Sequence, residues 1–115
     1  MRLGIVTNKP HKYAIKCVEV FFNRYNLLTL GAGKNYSIKP NPEGTKYVAS
    51  ELGVDPDNCI FVGDSGVDMQ TAKRAGMISA GVLWGFREKK ELENTGADLI
   101  FSTTIELNKF FKDNI

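Results

Sequence analysis

The stretch Cys59-Ile60-Phe61-Val62-Gly63-Asp64-Ser65-Gly66-Val67-Asp68 decides how this chain is read. Residues 59 to 63 form a short apolar run, which predicts a strand that opens into a turn at Asp64-Ser65-Gly66. Met69, Ala72, Lys73 and Ala75 continue as a helix, and Gly76 stops it. Two carboxylates, Asp64 and Asp68, thus stand four residues apart at a strand-to-helix turn. With Asp64 ending the strand and Asp68 on the first helical turn, both can face one point beyond the sheet, where a hard cation such as Mg²⁺ suits them. The same residues also read as plain helix chemistry, with Ser65 or Asp64 as N-cap and Asp68 as an acid that suits the helix dipole.

Working outward, residues 3 to 7 read as a buried parallel strand with a polar exit at Thr7-Asn8. Pro10 opens a helix over residues 10 to 24, whose apolar positions Ala14, Ile15, Cys17, Val18, Phe21 and Phe22 recur at three- and four-residue steps. Residues 27 to 30 predict a second strand, ended by Gly31-Ala32-Gly33. Asn41 can cap, and Pro42 can start, a helix that Gly53 ends. Residues 78 to 83 and 98 to 101 predict further strands. A short helix over 90 to 94 lies between them, and a closing helix over 104 to 112 turns Leu107, Phe110 and Phe111 inward.

Strands alternating with helices at this spacing predict an α/β fold: a three-layer, doubly wound parallel sheet of about five strands with helices on both faces. Ligands in such sheets bind outside the carboxyl ends of the strands, where Thr7, Asn8, Asp64 and Asp68 are expected. Thr7 and Asn8 offer a hydroxyl and backbone N–H groups that suit a phosphate oxygen, although a polar strand end needs no ligand. Lys39, also in a loop after a strand, can neutralise an anion or simply be solvated.

At 115 residues the chain has the size of one small domain, and its 43% hydrophobic and 24% charged residues exclude disordered and repetitive classes. Fifteen basic against thirteen acidic residues give +2, too weak a balance to favour nucleic acid or a membrane surface. No apolar run reads as a membrane span or signal peptide, so a cytoplasmic protein is expected. Cys17 and Cys59 lack metal or disulfide spacing and are expected as buried free thiols. His11, the one histidine, excludes a His-rich metal site and is expected at a loop or helix start.

The order of these features resembles the haloacid dehalogenase superfamily of phosphatases, most closely its phosphoglycolate phosphatase-like branch. Val6-Thr7-Asn8-Lys9-Pro10 is similar to the second motif of that family, Lys39-Pro40-Asn41-Pro42 to the third and Val62-Gly63-Asp64-Ser65-Gly66-Val67-Asp68 to the fourth. Further matches are Glu51-Leu52-Gly53-Val54, Ala72-Lys73-Arg74-Ala75-Gly76-Met77, Gly81-Val82-Leu83-Trp84-Gly85 and Gly96-Ala97-Asp98. The resemblance implies a Rossmann-like core. It also implies hydrolysis of a small phosphorylated metabolite, in which an aspartate attacks the phosphate monoester and water hydrolyses the phosphoaspartyl group. Mg²⁺ is the implied cofactor. Thr7 and the Asn8 backbone would hold phosphate oxygens, Lys39 would stabilise charge, Asp64 would ligate Mg²⁺, and Asp68 would support it directly or through water. Trp84 is expected near the core or rim, with no chemistry.

One part of the pattern is missing. The first motif of the family, an apolar strand ending in Asp-x-Asp that supplies the nucleophile, has no counterpart. Asp55-Pro56-Asp57 precedes its strand, which puts it roughly 20 Å from Asp64 at about 3.3 Å per residue. The chain is therefore expected to be a single partial core domain, residues 1–115, without cap or nucleophile and inactive alone. In the family the absent strand lies between those corresponding to residues 3 to 7 and 59 to 63, and its loss leaves a gap of about 10 Å. Direct pairing of those two strands is expected, because unpaired central strands are costly. The alternative is a strand supplied by self-association or by a missing N-terminal segment.

Two functions compete: a phosphatase whose nucleophile is supplied elsewhere, and a non-catalytic module that holds phosphate or Mg²⁺. A flavodoxin-like or receiver domain shares the alternation of elements. It does not explain Lys39-Pro40 together with the Gly63-to-Asp68 motif.

Overall fold

The computed structural model describes residues 1–114, so Ile115, the last residue of the expected domain, lies outside them. Strand β1 (Gly4–Pro10) leads into helix α1 (His11–Phe21) and strand β2 (Leu28–Ala32). Helix α2 (Glu43–Glu51) and a single 3₁₀ turn (Pro56–Asn58) precede strand β3 (Ile60–Gly63) and helix α3 (Gly66–Ala75). Strand β4 (Ile78–Val82), helix α4 (Lys89–Asn94), strand β5 (Leu99–Phe101) and helix α5 (Thr104–Asn114) follow. Every strand pair is parallel, as the predicted βα alternation requires.

The element ends follow from local chemistry. Asn41 Oδ1 accepts from the Glu43 N–H at 2.9 Å, capping α2 from just outside it. Gly76 closes α3 at φ +76°, a left-handed geometry that favours glycine. Helix α1 stops at Phe21, three residues short of the predicted end, where a turn places the Tyr25 N–H on the Phe22 carbonyl. Strand β2 continues through Gly31-Ala32 instead of ending there. A side chain at Gly31 would collide with the backbone of Lys9 and His11, so glycine is what lets the strand run on against the start of α1. His11 Nδ1 accepts from the Gly31 N–H at 3.0 Å, which makes this helix-start histidine a structural tie.

The five strands are divided between two sheets, β1-β2 and β3-β4-β5. The expected direct pairing of β1 with β3 does not occur: β1 pairs with β2, β3 pairs with β4, and the facing edges carry no shared ladder. The cause lies in the helix layer. Helix α2 packs on β1 and β2, helix α3 packs on β3 and β4, and the two helices pack on each other, so their contact fixes the separation of the sheets. Val62 of β3 is consequently 40% exposed, and no residue of β1 is buried, whereas β4, flanked on both sides, is buried from Ser79 to Val82.

The β1-β2 register also breaks. Gly4, Ile5 and Val6 lie opposite Leu28, Thr29 and Leu30, but the next partners are Pro10 and Ala32. Four steps on β1 thus match two on β2, and Thr7, Asn8 and Lys9 leave the ladder as a bulge. Bulges re-aim backbone and side chains at a sheet rim.

Candidate functional site: a charged cleft between the two sheets

Between the sheets opens a cavity of about 330 Å³, walled by Val6 of β1, by Phe61, Val62 and Gly63 of β3, and by Val82, Trp84 and Gly85 at the end of β4. Lys39, Asp64 and Asp68 also line it. Thr7 and Asn8 instead line a small adjoining crevice of about 10 Å³ that shares Val6 and Lys39 with the cleft. All five sequence-derived site residues therefore gather at the carboxyl ends of β1 and β3.

Asp68 is the hub. Ser65 caps α3 in a capping box with Asp68: Ser65 Oγ accepts from the Asp68 N–H at 3.3 Å, and Asp68 Oδ2 accepts from the Ser65 N–H at 3.3 Å. The same Oδ2 accepts from the Asp64 N–H at 3.1 Å and from the Ser65 hydroxyl at 3.2 Å. Its other oxygen, Oδ1, takes the Lys39 ammonium at 2.6 Å, with the two side chains only 14% and 9% exposed. The helix-cap reading and the charged-site reading of this segment thus describe one residue in both roles. A short, nearly dry charge-assisted bond of this kind is among the stronger polar contacts.

Lys39 comes from the loop before α2 and is followed by a cis Lys39–Pro40 peptide bond. Its ammonium also stands 5.9 Å from the Phe61 ring centroid, so the side chain crosses from the β1-β2 side of the cleft to β3. Among the described residues the Asp64 carboxylate accepts no hydrogen bond, which leaves its oxygens available in the cleft. Thr7 Oγ1 accepts from the Lys9 N–H at 3.1 Å within the bulge, and its own hydroxyl hydrogen remains to donate.

Two glycines, given no chemistry in the sequence reading, seat these acids. A Cβ at Gly63 would strike the Asp68 carboxyl group, and a Cβ at Gly85 would strike that of Asp64. Only glycine leaves room for both carboxylates at the ends of β3 and β4. Trp84, 46% exposed, stands on the rim of the cleft. Asp55 and Asp57 lie at the 3₁₀ turn that precedes β3, at the end of the strand away from Asp64.

This donor set bears on the expected cation. Mg²⁺ is commonly bound through one or two carboxylates, with water and phosphate oxygens completing its shell, and an unengaged Asp64 beside a hydrogen-bonded Asp68 fits that pattern. Among the described residues no group of three or more His, Cys, Asp or Glu side chains forms a closed metal cage.

A sequence profile described as haloacid dehalogenase-like hydrolase matches residues 1–82. The chain belongs to this family. The phosphoglycolate phosphatase of Salmonella paratyphi A is 34% identical over 108 residues, which are 93% of this chain and 43% of that protein. The Escherichia coli K12 phosphoglycolate phosphatase is 32% identical over 106 residues, 91% of this chain and 42% of its own. The chain thus spans less than half the length of these haloacid dehalogenase-like relatives. The crystal structure of a candidate phosphoglycolate phosphatase from Lactobacillus delbrueckii subsp. bulgaricus superposes with a TM-score of 0.87 at 34% identity, covering 95% of this chain and 46% of that one. A candidate β-phosphoglucomutase from Thermotoga maritima shares the fold, with a TM-score of 0.84 at 22% identity over 100% of this chain and 54% of that one. The α/β core expected from the sequence is the core of this family. Among the described residues no helix is long and apolar enough to cross a membrane.

Proposed function

We propose that this chain is the phosphate- and Mg²⁺-holding part of a phosphate-monoester hydrolase acting on a small phosphorylated metabolite. The observation that carries the reading is the Lys39 ammonium held on Asp68 at 2.6 Å beside the unengaged Asp64 carboxylate. A cation fixed on Asp68 offers a transferring phosphoryl group a positive partner without reorganisation. Thr7 and the Asn8 backbone would donate to phosphate oxygens at the bulge. Asp64 would ligate Mg²⁺, and Asp68, already saturated by Lys39, Asp64 and Ser65, would support it through water. Bound Mg²⁺ would offset the charge of the phosphate.

The nucleophilic aspartate would come from a strand seated between β1 and β3, supplied by an N-terminal segment or by another chain. The open edges of those strands and the cleft between them support this. A second reading, a non-catalytic phosphate- or Mg²⁺-holding module, is favoured by the absence of a strand ending in Asp-x-Asp within residues 1–115.

Calorimetric titration with Mg²⁺ and inorganic phosphate tests the binding part, and p-nitrophenyl phosphate tests turnover. The expected result is Mg²⁺ binding that Asp64→Ala abolishes, with turnover at background. Mg²⁺-dependent turnover lost in Asp64→Ala would show that the chain holds its own nucleophile, and the absence of any binding would leave only a scaffold.

A further inference from the structure

We propose that the Asn8 side chain is a positioning residue that sets Lys39 on Asp68. Asn8 Oδ1 accepts from the Lys39 N–H at 2.9 Å, and Asn8 Nδ2 donates to the Lys39 carbonyl at 3.1 Å. Both backbone groups of one residue are thus taken by a single carboxamide, in the way a neighbouring strand exchanges both bonds with its partner. The side chain can do this because the β1 bulge frees Asn8 from the β1-β2 register.

The consequence is geometric. Lys39 lies in a loop, and its ammonium must reach Asp68 at 2.6 Å. Long side chains lose much rotamer freedom when held in one place, and a loop backbone adrift by an ångström would spread the ammonium over several positions. Asn8 removes that freedom at the backbone, upstream of the side chain. The bond pattern also demands Asn. Asp would keep the acceptor for the Lys39 N–H but face the Lys39 carbonyl with a second acceptor, and Ala would keep neither bond. One Nδ2 hydrogen and one Oδ1 lone pair are committed to Lys39, and the group of Asn8 assigned to phosphate is its backbone N–H.

This inference rests on the reading of Lys39 as the phosphate-facing cation, so the test separates the two. Amide hydrogen exchange is measured on the chain and on its Asn8→Ala and Asn8→Asp variants, and inorganic phosphate with Mg²⁺ is titrated into each by ³¹P NMR. Asn8→Ala should lower protection of the Lys39 amide roughly tenfold, with Asn8→Asp between it and the parent. Amides of Met69 and Ala80, both fully buried, should be unchanged. An unaltered Lys39 amide, or an equal loss of protection across the whole chain, would overturn the proposal. Phosphate affinity should fall in the same order as Lys39 protection. If the parent chain binds no phosphate while the Lys39 amide still responds, the positioning role stands and only the phosphate reading falls.

Discussion

The three-stranded β3-β4-β5 unit and the two-stranded β1-β2 unit are built from similar short apolar strands, yet they are packed very differently. Met69, Thr71, Ala72, Ala80 and Leu92, all at 0% exposure, belong to the three-stranded unit with α3 and α4. In the two-stranded unit α1 buries only Ala14 and β1 nothing, and burial is confined to the middle of β2 and one face of α2. Strand β4, flanked on both edges, is buried along most of its length, whereas β1, paired on one edge, leaves its other edge to the cleft. The tightly packed unit holds Asp64 and Asp68, while the looser one carries Thr7 and Asn8 on a bulge. The site therefore joins a densely packed wall to a more exposed one.

The largest test of this contrast is a pair of truncations followed by urea unfolding. Met69→Ala should cost about 3 kcal/mol, because it opens a cavity at a fully buried position. Val6→Ala, on half-buried β1, should cost about 1 kcal/mol. Equal losses would erase the distinction between the units.

A smaller effect is expected at the bridge between them. Asp68→Ala strips the α3 capping box and leaves the Lys39 ammonium without its carboxylate, a loss of about 2–3 kcal/mol. Lys39→Ala leaves Asp68 with its Asp64 and Ser65 donors and should cost about 1 kcal/mol. The reverse order in chemical denaturation would mean that the ion pair, not the cap, dominates at Asp68.

The smallest effect lies at the far end of the three-stranded unit. Cys17 and Cys59 are free but only half-buried, not buried as expected, and at Cys59 partial burial, helped by the negative charges of Asp55 and Asp57, pushes the thiol up from its ordinary value. Less thiolate forms at pH 8, so iodoacetamide should alkylate Cys59 more slowly than a free thiol. Replacing both aspartates by asparagine should speed the reaction about twofold, since burial, the larger cause, remains. No change in rate would remove these charges from the account.

The elements were legible in the sequence wherever short-range chemistry decides them. Gly76 stopped α3 and Ser65 capped it because those choices are made within a few residues. The grouping of Thr7, Lys39, Asp64 and Asp68 was legible because parallel strands send their exits to one edge. What escaped was set by neighbours in space. Whether β1 meets β3 depends on how α2 and α3 pack, which no run of residues near either strand encodes. The carbonyl-and-amide grip of Asn8 on Lys39 spans 31 positions and depends on a register break that the apolar pattern of residues 3 to 7 does not announce. The glycine seats at Gly63 and Gly85 are likewise visible only once two strand ends lie side by side.

The cleft has a bearing on how the chain would associate. An unpaired ladder edge is a template for foreign backbone, and a protruding one can grow without limit as each added strand offers a fresh edge. The inner edges of β1 and β3 wall one recess with a charged mouth, so a single incoming strand seated there would meet both edges and leave no open edge inside the recess. On the proposed reading, occupancy of this recess would stop at one strand per molecule.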